Sequence, residues 1–370
     1  VFFTEAVPWK QLVCKGVSEK CHGNQAAAKF VGRTAELGPV PCGIGLLAIE
    51  CDDISSCSST PRSVVDGSGR SGRSLLEFLT YVGSLSFSDR PSWLLIECVA
   101  ALGKTRTSVS ERGTKVVAER LEDLGYLGSW KFLNSRRFKL PQTRPRVYGV
   151  FIKMKTFRHL DHEQTTKIWA FVERCQQSST ESLSALWSRA GLMDQAHVGK
   201  SRQRQQTQQG RRRKWADDHQ QFQEKHNVTD AEIKQATLLA QLEQAGPQVS
   251  LSEREHRASI LALAVQMRAN NLDTDCLVAN VGDSINRIRF RSYIHPCLLP
   301  QKKYLYLFQG KASTTCTPSL AMSLQGFGPV EMKKFGLDKL SQKQCQDLCG
   351  NAFSANVLYS IMLAVLLYSA

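Results

Sequence analysis

The stretch Leu121–Val150 reads LEDLGYLGSWKFLNSRRFKLPQTRPRVYGV and joins two different local patterns. Helical spacing over Thr114–Leu124 leads into it and ends at Gly125, and glycine commonly closes a helix. The stretch ends inside the apolar run Arg146–Ile152, which predicts a β-strand. Helices that alternate with strands are typical of the α/β class of fold.

The same alternation extends toward the amino terminus. Short apolar runs at Val1–Thr4, Ile44–Ile49 and Trp93–Ile96 predict three further strands, and Leu75–Gly83 has helical spacing. Short apolar runs separated by helices are typical of a parallel sheet with both faces covered. We therefore predict that these runs and Val147–Ile152 form one mostly parallel sheet.

Chemically useful side chains follow three of the predicted strands. Glu5, Cys51 and Glu97 come just after the first, second and third of them. Because function in open α/β sheets gathers at the carboxyl ends of strands, these residues are candidates for a site. The alternatives are a buried structural thiol at Cys51 and a surface acid at Glu97, and a single acid after a strand, as at Glu5, is common in such folds.

The middle of the chain has a different character. Lys200–Lys214 (KSRQRQQTQQGRRRK) is basic and of low complexity, which predicts a mobile loop or linker. Thr229–Glu232 and Ser252–Glu255 each have the spacing of a capping box and predict two helix starts. Residues 277–310 are typical of short strands and turns, and the last 50 residues return to helices.

The charge balance favours a polyanionic partner. Lys and Arg number 48 against 33 Asp and Glu, a formal net charge of +15. Each contact with a phosphate releases condensed counterions, so a basic surplus of this size suits nucleic acid. The alternative is a basic surface with no such partner.

Neither the cysteines nor the termini indicate a secreted or membrane protein. The 12 cysteines are scattered among apolar runs, which fits a reducing compartment, and Cys345 and Cys349 lack the second pair that a zinc site needs. We expect no secretory signal at Val1. The apolar run Val357–Ala370 falls short of the ~20 residues of a membrane span, so we expect a buried helix and no membrane partner.

Several segments match a known family in order and spacing. Ile49–Ser55 (IECDDIS) carries Cys51, and Leu94–Val99 (LLIECV) carries Glu97. Leu121–Val150 then contains Leu-Gly-Tyr, Leu-Asn, Phe and Pro-Gln-Thr-Arg-Pro-Arg. Near the end follow LQGF at 324–327 and GNA at 350–352. Together with a basic insert in the corresponding gap, these segments resemble the motifs of the cytosine-5 DNA methyltransferases.

The resemblance implies a role for each matching residue. Cys51 is implied to be the nucleophile that adds to carbon 6 of cytosine, since a soft thiolate suits that attack. Glu97 is implied to hold ring nitrogen 3, and Arg144 and Arg146 to brace the pocket, with Arg146 reaching the base. The target base must leave the duplex for this chemistry.

The resemblance also implies a cofactor and an architecture. S-adenosylmethionine would be bound by Glu5, at the ribose hydroxyls, and by Asn351 and Ala352; for Asn351 helix-start chemistry is the alternative. The implied fold is α/β, a Rossmann-like S-adenosylmethionine-dependent methyltransferase core with a small inserted target-recognition region. Residues 1–155 would form the core, 156–310 the target-recognition region with its basic linker 200–214, and 311–370 the segment that closes the core.

The sequence departs from the family pattern at several positions. Glu50 replaces a proline, Cys98 replaces an asparagine, and Arg33 stands near the place of an aspartate. The family's first strand and glycine-rich loop have no counterpart before Val1, so we expect an N-terminally truncated or divergent member with poor activity. A non-catalytic nucleic-acid-binding relative and an RNA cytosine-5 methyltransferase stay open as alternatives. We expect a nuclear location in a eukaryote and a cytoplasmic one otherwise.

Overall fold

The computed structural model contains two compact units, each formed from separate parts of the chain. It describes residues 44–48, 70–103, 113–154, 158–177, 181–193, 209–241, 251–269, 272–299, 302–308, 311–314, 316–337 and 340–368. The first unit comprises residues up to Asn134, Pro145–Gln177 and Val357–Ala370. The second comprises Ser135–Arg144 and Ser178–Asn356.

The first unit is built on a four-stranded sheet. Its strands are β1 (Ile44–Ala48), β2 (Trp93–Val99), β3 (Tyr126–Asn134) and β4 (Pro145–Lys153), in the order β1-β2-β4-β3. Its helices are α1 (Arg70–Ser84), α2 (Gly113–Asp123), α3 (Arg158–Arg174) and most of α11 (Ala355–Tyr368), with a 3-10 turn at Ala100–Gly103. The predicted α/β class is confirmed, and the predicted runs around residues 44, 93 and 147 are strands of one sheet. The predicted strand Val1–Thr4 lies outside the described residues.

Apolar side chains at helical spacing attach the helices to the sheet. In α1, Leu75, Phe78 and Val82 recur every three to four residues and are buried. The same spacing in α2 buries Val117 and Leu121 in the same cluster. Gly125 follows α2 with a φ of +82°, and its N–H donates to the carbonyl O of Glu122 at 2.8 Å. Glycine reaches this left-handed conformation without a steric penalty, so the predicted helix end is confirmed.

The strand directions differ from the sequence prediction. β1 and β2 are parallel, but β4 is antiparallel to both β2 and β3. The prediction of a mostly parallel sheet is therefore wrong for the described strands. The physical reason is the short connection Ser135–Arg144 between β3 and β4, because a parallel neighbour needs a longer crossover. The predictions also did not identify β3 as a strand.

The second unit combines a small antiparallel sheet with helices. Its strands are β5 (Cys276–Asn280), β6 (Arg291–Ser292), β7 (Tyr304–Phe308) and β8 (Lys311–Ser313), in the order β6-β5-β7-β8. Its helices are α4 (Leu183–Met193), α5 (Gln209–Lys225), α6 (Asp230–Ala240), α7 (Glu253–Ala269), α8 (Pro318–Leu324), α9 (Pro329–Lys334) and α10 (Gln342–Asn351), with 3-10 turns at Ser135–Phe138 and Ile285–Arg287. The core centres on α7, which buries every residue from Ala258 to Ala264.

Both predicted capping boxes are confirmed. The Thr229 hydroxyl accepts from the Glu232 N–H, and the Glu232 carboxylate accepts from the Thr229 N–H at 2.8 Å. At α7 the Ser252 N–H donates to the Glu255 carboxylate at 2.8 Å, and the Glu255 N–H donates back to the Ser252 hydroxyl. Each box satisfies backbone donors that the first helical turn leaves without intrahelical partners.

The basic segment Lys200–Lys214 is not wholly a loop, which corrects that prediction. Its last residues form the first turns of α5, which starts at Gln209, and residues 200–208 lie outside the described part of the chain. Gln, Arg and Lys are good helix formers, so the composition does not oppose a helix. His219 and Phe222 then supply a buried side of the helix, which α7 contacts.

The apolar C-terminal run forms α11, so the predicted helix is confirmed, but it is buried on one side only, since Tyr359, Leu366 and Leu367 are exposed. Val357, Ile361 and Ala364 are buried at helical spacing. Within the described ranges, no single helix is long and apolar enough to cross a membrane, and one bent pair, Gln344–Asn351 with Ala355–Tyr368, meets that criterion together. The division into two compact units does not show which residues recognise a target. The predicted boundaries of the target-recognition region, at residues 155 and 310, therefore stay a prediction.

Candidate active site

Glu97 lies in β2, the strand that β1 and β4 flank. Its side chain is 6% exposed. The antiparallel register pairs Glu97 with Tyr148 and Val99 with Arg146. Side chains two residues apart on a strand point to the same face, so Arg146 is a diagonal neighbour of Glu97 on one face of the sheet. The structure thus brings together two of the predicted site residues.

Arg146 and Glu97 form a buried ion pair. The Arg146 Nε lies 2.9 Å from the Glu97 Oε1, and the Arg146 side chain is 8% exposed. Arg146 also donates from Nη1 to the carbonyl O of Pro145 at 2.9 Å, which fixes the guanidinium. A buried carboxylate is costly without a partner, and the guanidinium supplies the counter-charge.

The ion pair does not use the full hydrogen-bonding capacity of the carboxylate. Despite the 2.9 Å separation, Glu97 Oε1 accepts no hydrogen bond within the described residues. A buried carboxylate oxygen without a hydrogen bond is uncommon and calls for an explanation. Glu97 is therefore held in place and still able to bond a ligand.

Arg144 belongs to the second unit and makes a different set of contacts. Its Nη1 donates to the carbonyl O of Leu298 at 3.1 Å, and its Nη2 donates to the carbonyls of Gly350 at 3.1 Å and Ala352 at 2.8 Å. The side chain is buried. Helix ends leave carbonyls without intrahelical partners, and here one guanidinium satisfies two of them at the end of α10. Arg144 thus fixes the segment that contains Asn351 and Ala352.

The two described residues predicted to bind the cofactor differ in exposure. Asn351 is the last residue of α10 and is exposed, whereas Ala352 is buried with an extended backbone (φ −75°, ψ 154°). The Asn351 carboxamide can donate and accept hydrogen bonds, and its backbone is anchored by Arg144 on both sides. This segment therefore fits a polar ligand such as S-adenosylmethionine. Glu5 and Cys51 lie outside the described residues.

The sequence analysis missed a second anchor of the Pro-Gln-Thr-Arg segment. The His295 N–H donates to the carbonyl O of Pro141 at 2.7 Å, and the Thr143 N–H donates to the carbonyl O of His295 at 2.9 Å. The fully buried His295 ring faces the Pro296 carbonyl through Nδ1 and accepts from the Tyr306 hydroxyl at Nε2, 2.9 Å away. No local sequence pattern indicates this contact, because Thr143 and His295 lie 152 positions apart in the chain.

Burial keeps this histidine neutral. Desolvation lowers the pKa of His295 to about 4, although the hydrogen bond to Pro296 acts in the opposite direction. Burial also raises the pKa of Tyr306 well above its usual value. Both rings are therefore uncharged near neutral pH, so they act as a fixed support for the Pro141–Thr143 backbone and not as acid–base groups.

The buried sulfur atoms do not form a metal site within the described ranges. Cys345 Sγ and Cys349 Sγ lie 3.9 Å apart, and Met322 Sδ lies 3.4 Å from Cys349 Sγ. Burial, together with the neighbouring Cys345, raises the pKa of the Cys349 thiol well above its usual value, so the thiol stays protonated. No group of three or more His, Cys, Asp or Glu side chains in the described segments is placed to hold a metal ion.

Comparison with known proteins gives a family match over most of the chain. The family model described as C-5 cytosine-specific DNA methylase matches residues 71–366. The type II methyltransferase M.NgoBV of Neisseria gonorrhoeae is 40% identical over 65 residues, which cover 16% of this chain and 15% of that protein. M.NlaIV of Neisseria lactamica is 38% identical over 65 residues, with the same coverage. The match thus spans 15% of the length of these curated relatives.

Solved structures with similar folds have low similarity scores. S. pombe Dnmt2 methyltransferase has a TM-score of 0.38 and 13% identity, over 88% of this chain and 77% of that chain. Entamoeba histolytica methyltransferase EhMeth has a TM-score of 0.39 and 11% identity, over 88% and 77%. These scores are too low to add to the family match.

Proposed function

Because this chain belongs to the C-5 cytosine-specific DNA methylase family, we propose that it transfers a methyl group from S-adenosylmethionine to carbon 5 of cytosine in DNA. The sheet and helices of the first unit support the α/β class, and the Rossmann-like core is what the resemblance implies. The observation that carries the proposal is the buried pair of Glu97 and Arg146, in which one carboxylate oxygen accepts no hydrogen bond from the part of the chain that the structure describes.

Glu97 would bind the pyrimidine ring of the flipped cytosine. A carboxyl group can share a proton with ring nitrogen 3, and this bond strengthens as the ring gains electrons. The charge of Arg146 keeps the side chain buried and in one orientation, so no reorganisation is needed when the base arrives. Arg146 thus orients Glu97, and its contact with the base stays a prediction.

Cys51 would add to carbon 6 of the ring as a thiolate. The addition makes carbon 5 nucleophilic, and loss of the carbon 5 proton after methylation lets the thiolate leave. β1 ends at Ala48, which pairs with Glu97 in the parallel register, and Cys51 follows three residues later. Three residues of chain reach at most about 11 Å, so this position in the sequence is compatible with a nucleophile beside Glu97.

Asn351 and Ala352 would hold S-adenosylmethionine together with Glu5. The bound cofactor supplies an electrophilic methyl group. The chain's own contribution is an exposed carboxamide on a backbone that Arg144 anchors from both sides. A rigid backbone lowers the entropy cost of binding a polar ligand.

DNA is the proposed partner, and the nucleus is the proposed location in a eukaryote. The net charge of +15 supports a polyanionic substrate. Charge does not separate DNA from RNA, since that discrimination depends on contacts to the 2′-hydroxyl. Both DNA and RNA therefore have to be tested as substrates.

The test is methyl incorporation from labelled S-adenosylmethionine into duplex DNA and into RNA of the same sequence, followed by nucleoside analysis. We expect 5-methylcytosine in the DNA, formed at the low rate that the departures from the family pattern predict. We expect a further loss of about 100-fold or more in rate for Glu97→Gln, since general acid–base groups typically contribute 10²–10⁴-fold. Glu173→Gln, which removes an acid that is paired with Lys131 at the surface, is the matched control and should keep the rate. Methylation of RNA alone, or an unchanged rate in Glu97→Gln, would contradict the proposal.

A further inference from the structure

Three cations are exposed on the connection between β3 and β4. Arg136, Arg137 and Lys139 alternate with the buried side chains of Phe138 and Leu140. We call residues Ser135–Arg144 the basic loop. An exposed basic turn is ordinarily only solvated, so charge alone does not assign a ligand to this loop. Its backbone contacts and conformation have to indicate one.

The backbone of the basic loop is held at several points within the second unit. The Ser135 hydroxyl donates to the carbonyl O of Gln142 at 2.7 Å, across the base of the loop. The Asn356 side chain donates to the carbonyl O of Phe138 at 2.8 Å, and the Glu181 N–H donates to the carbonyl O of Lys139 at 3.4 Å. These contacts fix the backbone on both sides of the three cations.

Lys139 has an unusual backbone conformation. Its φ is +65°, in the left-handed region that a residue with a Cβ rarely adopts. Such strain persists where the surroundings impose it, often at ligand-binding positions. Here Phe138 and Leu140 are inserted into the protein interior on either side, and the lysine is directed into solvent between them.

We propose that the basic loop binds the phosphate backbone of the DNA substrate through Arg136, Arg137 and Lys139. Guanidinium groups match phosphate oxygens with two parallel hydrogen bonds, and a lysine ammonium adds a third positive charge. Because the loop is fixed before binding, little entropy is lost on contact. Among the described residues, Glu181 contacts the loop through its backbone N–H. The inference rests on the proposed function, since it assigns a role toward the same substrate.

The loop also links phosphate binding to the predicted site in sequence. Arg144 is the last residue of the basic loop, and Arg146 follows two residues later in β4. Phosphate contacts fix the register of a protein on nucleic acid without reading its sequence. The loop would therefore fix the register of the protein on the DNA and would not select a sequence.

The experiment measures the salt dependence of binding to a fluorescein-labelled 30-base-pair duplex by anisotropy. The test variant combines Arg136→Gln, Arg137→Gln and Lys139→Asn, since asparagine tolerates the left-handed conformation. The control variant combines Lys115→Gln, Lys167→Gln and Arg174→Gln, which removes the same charge from exposed helical positions. Circular dichroism and thermal unfolding check that both variants fold.

Each lost phosphate contact should make the slope of log K against log salt shallower by about 0.9. The test variant should therefore lose about 2–3 units of slope, and the control variant less than about 1. If the test variant does not fold, Arg136→Gln and Arg137→Gln alone should each lose about 0.9. Equal slopes in the test and control variants, or no measurable binding by the wild type, would overturn the inference.

The same samples separate this inference from the proposed function. Wild-type protein that methylates DNA while the test variant keeps the full salt slope would refute the basic loop alone. Wild-type protein that binds the duplex through the loop but forms no 5-methylcytosine would refute the proposed function alone.

Discussion

Removing Arg146 should destabilise the protein far more than removing a surface cation from the same sheet. Arg146→Met keeps the length of the side chain but leaves the Glu97 carboxylate, 5% exposed, without its counter-charge. At a separation of 2.9 Å, the attraction in this pair is about 6 kcal/mol for an effective dielectric constant of 20. The desolvation of the guanidinium offsets part of it, so we expect a loss of about 3–5 kcal/mol in the free energy of unfolding.

The matched control is Lys131→Met on the neighbouring strand β3. Lys131 pairs with Glu173 at 2.5 Å, but the two side chains are 38% and 50% exposed. Solvent screening limits such a pair to about 0–1 kcal/mol. Urea unfolding followed by circular dichroism gives both differences.

A double variant identifies the cause of the loss. Glu97→Gln combined with Arg146→Met removes both charges of the pair, so it should be more stable than Arg146→Met alone by at least about 1 kcal/mol. An equal loss for Arg146→Met and Lys131→Met would refute the argument that a buried pair fixes Glu97. So would a double variant that is less stable than Arg146→Met.

Three further predictions concern the parts of the fold that support the site. Because burial lowers the pKa of His295 from 6.5 to about 4, the unfolded chain binds more protons than the folded chain between these values. The free energy of unfolding should therefore fall by up to about 3 kcal/mol as the pH drops from 6.5 to 4. In urea titrations, His295→Gln should flatten this dependence, and a pH profile identical to that of the wild type would contradict the argument. Thr229→Ala removes a capping box and should cost about 1 kcal/mol, measured as a lower unfolding midpoint; no change would contradict the role of the cap. Gly128→Ala should cost at least about 2 kcal/mol, because its Cβ would lie 2.1 Å from the carbonyl O of Val150. Gly83→Ala, whose Cβ would meet a flexible leucine at 3.2 Å, should be neutral or stabilising, and equal losses in the two glycine variants would refute this difference.

Local patterns in the sequence were sufficient for the elements that local physics determines. Apolar runs identified β1, β2 and β4, and the spacing of Thr229 and Glu232 identified a helix start, because both signals lie within a few residues. The order of the motifs also identified Glu97 and Arg146 as neighbours in a site before any distance was known. Cys51 and Glu5 stay predictions.

Other features depend on contacts between distant parts of the chain. The direction of β4 follows from its hairpin with β3. The sequence does not predict β3, because buried and partly exposed side chains do not follow a regular pattern along it. The support of Pro141 and Thr143 by His295 leaves no trace near either segment, because the contact is formed between backbone groups. The sequence does not predict the helix that starts at Gln209, because its composition is basic and only a short row of its side chains is buried.

The most direct test of the proposed chemistry is to trap the covalent step at Cys51. The protein would be incubated with S-adenosylmethionine and duplex DNA that carries 5-fluorocytosine at target positions. After methyl transfer, fluorine replaces the proton that must leave carbon 5, so the bond between the Cys51 sulfur and carbon 6 should persist. We predict that mass spectrometry finds the nucleotide on the peptide that contains Cys51, and none in Cys51→Ser. Efficient 5-methylcytosine formation on ordinary DNA without any such adduct, or an adduct that survives Cys51→Ser, would contradict the account.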